Sequence, residues 1–166
     1  MERAEQMISL CQERWVGWFV HRISRRPPDF VIGKDYCLRW WVIPRNRFFN
    51  IYLHKFLHDD EDLALHDHPW VNCSIPLING YIEVRNPLLL TRTEKRPGSI
   101  SFRLPTTPHR VVLFRDLYGD PVPAWSLFIT GPVWREWGFV CPQGWVSYKQ
   151  FTDPSDYGKT GKGCDE

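Results

Sequence analysis

Leu65-His66-Asp67-His68-Pro69-Trp70 is the stretch on which the reading of this chain turns. Successive side chains of a β-strand alternate between its faces, so His66 and His68 point one way and Asp67 the other. Two imidazoles on one face are half a metal site. A third ligand has to come from a neighbouring strand, and four histidines remain: His21, His54, His58 and His109. Position and context favour His109, in Pro108-His109-Arg110-Val111. Divalent zinc, iron, manganese, nickel and copper all accept neutral imidazole, and three protein ligands on one side of an ion leave positions open for water, oxygen or substrate. The competing reading is a charged surface loop, since the pair follows the acidic run Asp59-Asp60-Glu61-Asp62.

Around this stretch the chain consists of short runs rich in Trp, Phe, Ile, Val and Tyr. Turn signals divide them: Ile32-Gly33-Lys34-Asp35, Pro44-Arg45-Asn46, Asn79-Gly80, Arg96-Pro97-Gly98 and Tyr118-Gly119-Asp120. Strands at that rhythm predict antiparallel β-structure. Upstream, from Glu2 to about Ser24, Ile8, Cys11, Trp15, Trp18 and Phe19 recur at helical spacing before Arg25-Arg26-Pro27-Pro28 stops the pattern. That predicts one amphipathic helix whose aromatic stripe docks on the core. Downstream of Phe151, TDPSDYGKTGKGCDE has almost no apolar content, which predicts a loose tail. The expected organisation is a helix over 1–28, a barrel over 29–151 and a flexible tail over 152–166.

Length and composition fit that picture. A chain of 166 residues holds one sizeable core but not two ordinary domains. With 43% hydrophobic and 24% charged residues and a net charge of +2, it has the profile of a globular protein, and nothing demands nucleic acid or membrane as a partner. The N-terminus mixes charges into its apolar positions where a signal peptide has a continuous apolar stretch, so a cytoplasmic location is expected. Five scattered cysteines, Cys11, Cys37, Cys73, Cys141 and Cys164, show no paired short spacing, so reduced thiols are expected. Nine Trp and fourteen Pro against two Met suit a sandwich or barrel with aromatic walls.

The motif around the histidine pair resembles the first motif of the cupin superfamily. That motif has His-x-His, a residue that is usually Glu a few positions on, and a Gly closing the turn, here His66, His68, Cys73 and Gly80. Gly98, Pro105 and His109 in PGSISFRLPTTPHRV approximate the second motif. Together the two cover about the middle third of the chain. The resemblance implies an all-β, cupin-type double-stranded β-helix (a jelly-roll barrel) behind the N-terminal helix, with one divalent metal ion on His66, His68 and His109. Cys73 stands where the family usually has a metal-binding Glu, and three roles are open to it: ligand, covalent crosslink or core residue. The run from His66 through Cys73 and Gly80 to Glu83, with His109-Arg110-Val111, is also similar to thiol dioxygenases of the cysteine dioxygenase type, which bind iron through three histidines. The strand Ser126-Leu127-Phe128-Ile129-Thr130 lacks the catalytic tyrosine of that group.

Other candidates come from strand alternation. Glu83 shares a face with Tyr81, so both are candidate catalytic groups, Glu83 as a ligand or general base; the alternative is a solvated strand face. Tyr52 and His54 share a face in NIYLHKFL and are candidate substrate contacts, with Arg103. Arg110 and Arg135 also offer guanidinium groups near the expected mouth, suited to an anionic small molecule. The aromatic run from Thr130 to Trp145 is expected to close a barrel end or roof a pocket.

Three functions follow. The first is a mononuclear Fe(II) enzyme that oxygenates a small-molecule substrate. The second uses zinc or manganese, or nickel, as a Lewis acid while Glu83 or Tyr81 moves a proton in an isomerase or lyase reaction. The third is a cupin-like module that only binds a small ligand, because fold does not fix function. A homodimer is expected through strands or an exchanged N-terminal segment near Trp40-Trp41.

Overall fold

The runs between turn signals do form strands. The computed structural model describes residues 2–33, 35–60 and 63–164, and the side chains from residue 13 onward apart from 156–159. The side chains of Ile8 and Cys11, and residues Lys34, Glu61 and Asp62, lie outside what is described. One helix, α1 (Glu2–Ser24), precedes β1 (Phe30–Ile32), β2 (Cys37–Trp41), β3 (Asn50–Phe56), β4 (Leu65–His66), β5 (Asn72–Ile78), β6 (Tyr81–Arg85) and β7 (Thr91–Lys95). Then come β8 (Ser101–Arg103), β9 (His109–Leu113), β10 (Ala124–Thr130), β11 (Gly138–Cys141), β12 (Gly144–Ser147), a one-turn helix α2 (Tyr148–Phe151), β13 (Thr152–Asp153) and β14 (Asp156–Thr160).

Two six-stranded antiparallel sheets face each other, one ordered β1-β2-β3-β10-β5-β8 and the other β12-β11-β4-β9-β6-β7. The chain crosses between them at Asn79-Gly80, where both residues have positive φ (66° and 83°). Glycine is required at position 80, because a Cβ there would lie 2.2 Å from the carbonyl oxygen of Lys95. Alternation sets the interior. On β10, Ser126, Phe128 and Thr130 are buried while Trp125, Leu127 and Ile129 are not. Ser126 sits opposite His54, and Phe128 opposite Tyr52 and Ser74, which brings three strands of one sheet to a common inner face.

The helix covers the outer face of that sheet, but of the expected stripe's described side chains Phe19 docks and Trp15 and Trp18 do not. Val16, Phe19, Val20 and Ile23 pack on Trp40, Leu53 and Trp125, whereas Trp15 and Trp18 are 64% and 57% exposed and meet edge to face at 5.8 Å. The branched aliphatic residues at i, i+4 and i+7 are the docking set; aromatic character alone did not mark the buried face. Leu53 is fully buried beneath the helix, so Leu53→Ala is expected to cost about 2–5 kcal/mol. Trp15→Ala is expected to stay within about 0.5 kcal/mol. Urea midpoints at unchanged slope measure both, and a large loss at Trp15 would contradict the assignment of faces.

Residues 152–164 are not the loose extension that their composition suggested. β13 pairs with β14, Gly161 and Gly163 donate backbone N–H bonds to Phe151 O at 3.0 and 3.1 Å, and Cys164 is joined to Cys141 by a disulfide. This also corrects the expectation of reduced thiols at those two positions; Cys37 and Cys73 are free. Backbone pairing and one covalent link hold the segment where apolar burial is lacking. Phe151 itself is buried and stacks on Phe139 at 3.6 Å. Among the described residues, no helix is long and apolar enough to cross a membrane.

Candidate metal centre

His66 ends β4 and lies directly opposite His109 on β9, so the two side chains are neighbours across an antiparallel pair. His68 follows two residues later, its backbone N–H held by Pro105 O at 3.2 Å. The three rings stand 4.9 to 5.2 Å apart between centroids, and one ligand nitrogen from each lies within 4.8 Å of the others. His68 Nε2 and His109 Nε2 face each other at 2.9 Å. The structure therefore brings together the three histidines singled out in the sequence, in a group able to hold a metal ion.

The rings of His68 and His109 are kept neutral, the form a metal requires. Burial, then the neighbouring rings and Arg103, hold His68 well below its ordinary pKa. Burial and Arg103 push His109 down to about 3, against the opposing pull of Glu83. Behind the triad, Glu83 Oε1 stands 3.3 Å from His109 Nδ1, off the line of an ideal hydrogen bond. On the far side, Asp60 Oδ2 lies 3.7 Å from His66 Nδ1 and accepts the Val111 backbone N–H at 2.7 Å. A carboxylate behind a ligating imidazole fixes the ring and its tautomer.

Glu83 is thus inside the barrel but behind a ligand. Its carboxylate is buried and meets Arg103 (2.5 Å), Arg85 (2.9 Å) and Lys95 (3.5 Å). Burial alone would raise its pKa, but His109, Arg103 and Arg85 more than offset that and hold it well below the usual carboxylate range. Arg103 is equally committed: Nε donates to Glu83, Nη1 to Asn72 Oδ1 (3.0 Å) and Nη2 to Ser74 Oγ (2.9 Å). Its guanidinium edges are occupied within the protein, which leaves little for the substrate contact expected of it. Arg135 is likewise bound to Asp67. Asp67, on the opposite face from the histidines, also accepts from Gly138 N (2.7 Å) and Trp145 Nε1 (3.0 Å), so it anchors the His-Asp-His segment to β11 and β12. Arg110 sits on β9 at a position alternating with buried His109 and Val111, away from the interior.

Position 73 alternates with Asn72 and Ser74, both buried on the inner face, so Cys73 faces outward with Ile75 and Leu77. That geometry removes ligation and a crosslink into the centre from the three roles open to Cys73. Asn72 is the inward residue next to it, and its Oδ1 accepts from Arg103.

A cavity of about 570 Å³ opens in front of the histidines. Its walls include Phe56, Trp70, Phe128, Phe139, Trp137 and Tyr148. Tyr81 reaches it from β6, with its hydroxyl 3.0 Å from Ser74 Oγ. His54 lines it too, between Tyr52 and the ring of Phe128 at 5.1 Å, and Phe128 is in turn 5.5 Å from His68. Tyr52 is buried behind His54, beneath the Arg39 guanidinium. Arg39 and Phe128 went unnoticed in the sequence, because alternation tells which residues share a face but not which face is inward.

His54 gives a pH test. Burial, then Arg39, hold its pKa well below the ordinary 6.5. Below that pH the unfolded chain binds a proton at His54 and the folded chain does not, so stability is full above pH 6.5 and falls as pH drops. The expected slope is up to about 1.4 kcal/mol per pH unit from this group. His54→Gln should lose stability less steeply between pH 7 and 5; identical slopes would refute the assignment.

Sheets and site together define a class: the chain has a cupin-type double-stranded β-helix fold, with three histidines converging on an interior cavity. Among solved structures it is similar to FeII HppE, with TM-score 0.52 and 14% identity over 65% of this chain and 57% of that one. It is also similar to a conserved protein with a double-stranded β-helix domain from Klebsiella pneumoniae subsp. pneumoniae (TM-score 0.47, 15% identity, 69% and 88% covered). A third likeness is to the DMSP lyase DddQ from Ruegeria pomeroyi (TM-score 0.45, 17% identity, 67% and 53% covered). The matched region is little more than half of HppE and of DddQ. At 14% identity the likeness to FeII HppE speaks for the fold alone. No family model and no curated protein matches the chain.

Proposed function

We infer that the protein is a mononuclear metalloenzyme that holds Fe(II) through His66, His68 and His109 and oxygenates a small molecule bound in the adjoining cavity. The observation that carries this reading is the convergence of three imidazole nitrogens within 4.8 Å on a largely aromatic cavity. An iron ion held from one side by three imidazoles supplies oxygen activation. The chain's own residues do the rest. Glu83 orients His109, the aromatic walls exclude bulk water, and the Tyr81 hydroxyl is placed to hold or pass a proton through Ser74. Glu83, enclosed by three cations and held ionised, is a positioning residue rather than a base in this reading. That weakens the zinc or manganese isomerase alternative, which then has Tyr81 as its proton carrier. Self-association as a homodimer remains part of the proposal and is read by light scattering.

The test is metal content together with oxygen consumption. Purified protein should carry about one iron per chain, as one site allows, and the iron-loaded form should take up oxygen when a substrate is supplied. Turnover that proceeds anaerobically with zinc or manganese would replace the oxygenase with the isomerase or lyase. Failure of every divalent metal to bind after reconstitution would leave a ligand-binding module.

A further inference from the structure

The two sheets have β1 and β12 as edge strands, and the chain after β12 bridges from one to the other. α2 follows β12 and packs on it, while β14 lies beside β1 of the opposite sheet. Five residues along this seam line the cavity: Phe30 and Ile32 from β1, Tyr148 from α2, Thr152 from β13 and Thr160 from β14.

The two sides of the bridge are held differently. Phe151 is buried and stacked on Phe139, so α2 is anchored in the core. After Thr152 no described side chain is buried, so apolar burial does little to hold β14. Polar and covalent links hold that strand in place. Gly161 and Gly163 donate their N–H groups to Phe151 O, Gln143 Nε2 donates to Cys164 O at 2.6 Å, and Cys164 is joined to Cys141 on β11, 23 residues away in sequence. Backbone bonds near the surface open at low free energy, whereas a covalent link between distant residues limits how far the segment can travel. Cys141 is buried but Cys164 is only half-buried, so a thiolate from solution reaches the pair at the Cys164 sulfur. Of the other described cysteines, Cys37 and Cys73 lie on β2 and β5 in the opposite sheet, so neither competes for the pair.

We propose that the Cys141–Cys164 disulfide is a reversible redox clasp that keeps β14 closed along the seam, and that its reduction by a dithiol opens the cavity there. One thiolate of the dithiol attacks Cys164 Sγ; the disulfide bond breaks, and its electron pair leaves on Cys141 Sγ, which takes up a proton. The second thiolate of the dithiol then displaces Cys164 Sγ, which takes up a proton in turn. The protein gains two electrons and two protons, and the dithiol ends as a cyclic disulfide. α2 and Tyr148 stay with the core, while β14 and Thr160 move away from β1. The clasp stands on the disulfide and the cavity; that what it admits is substrate rests on the metalloenzyme reading.

The experiment is acylation of histidines by diethyl pyrocarbonate, read by peptide mass spectrometry on the full chain as purified and after chelation. Disulfide-intact protein is compared with protein reduced by dithiothreitol and desalted under nitrogen, and with Cys164→Ser. His54, His66, His68 and His109 line the cavity, whereas His21 and His58 are exposed outside it and serve as the internal reference. His54 stands outside the metal-holding group and reads in both preparations; the other three read after chelation. Relative to the reference, the cavity histidines should react about tenfold faster or more in both forms that lack the clasp. Amide exchange at Gly161 and Gly163 should quicken by a similar factor while β3 and β10 stay as they were, and reoxidation of the reduced protein should restore both rates. Cavity histidines that react equally fast in all three forms overturn the proposal. A rise shared by the amides of β3 and β10 overturns it too, since that is a general loosening of the fold, as does a disulfide that dithiothreitol reduces only in urea. The chelated samples contain no metal, so the clasp can stand where the metalloenzyme reading fails, and fail where that reading stands.

Discussion

His109→Ala is expected to lower metal affinity by more than 100-fold, from near-stoichiometric occupancy to almost none at equal total metal. The warrant is the spread of the three ligands. His66 and His109 face each other across β4 and β9, while His68 comes from the following turn, so removal of any one opens a full side of the site. Loss of groups that merely support ligands already costs about 10–100-fold in other metal sites, and a ligand itself should cost more. Elemental analysis after dialysis against equal metal reads the result directly. Circular dichroism should be little changed, because His109 is held among other rings and its loss strips no charge from the core. Full occupancy in His109→Ala would mean that the metal, if bound, sits elsewhere.

The second large effect is expected at Glu83. This carboxylate answers the buried Arg103, the half-exposed Arg85 and Lys95 at once, and Glu83→Gln would strand the Arg103 cation at 1% exposure. Removing one member of a buried pair costs about 3–5 kcal/mol. For a chain of this length that is a melting temperature lower by about 6–20 °C. Replacing both partners with apolar residues, as in Glu83→Leu with Arg103→Met, should recover much of the loss, because no fully buried charge is then left unpaired, Arg85 and Lys95 being partly open to water. Differential scanning calorimetry of the single and double variants decides the matter. A single variant within about 2 °C of wild type would show that Arg103 reaches water or another acid.

Much of this was legible in the sequence. The alternation rule placed His66 and His68 together, and turn signals such as Asn79-Gly80 fall at strand boundaries in the structure. Choosing His109 needed the resemblance as well as the spacing, because nothing local says which strand pairs with β4. Cys73, for which ligand, crosslink and core roles were open, shows where motif spacing and strand face part. Motif spacing pointed to position 73, but the strand face is set by where β5 begins after Pro69, and that put Asn72 inside instead. The sequence left Glu83 open between the barrel interior and a solvated face; the structure buries it, and its role depends on Arg103, twenty residues away on the opposite sheet, because no pattern in one strand announces a partner on another. Arg39 was missed for the same reason. The Cys141–Cys164 link could not be read from two cysteines 23 residues apart with no paired spacing.

Of the three converging histidines, His66 and His109 belong to the sheet containing β4 and β9 and His68 to the turn after β4, while Arg39, His54, Ser126 and Phe128 line the cavity from the opposite sheet. Ties between the two halves include the Arg103–Glu83 pair and the bond between Tyr81 and Ser74. Ligand choice is therefore free to diverge, over evolutionary time or in a mutational library, by changes on β2, β3 and β10 that leave the metal-holding half intact. A library confined to positions 39, 54, 126 and 128 should yield variants that keep their metal and select different molecules.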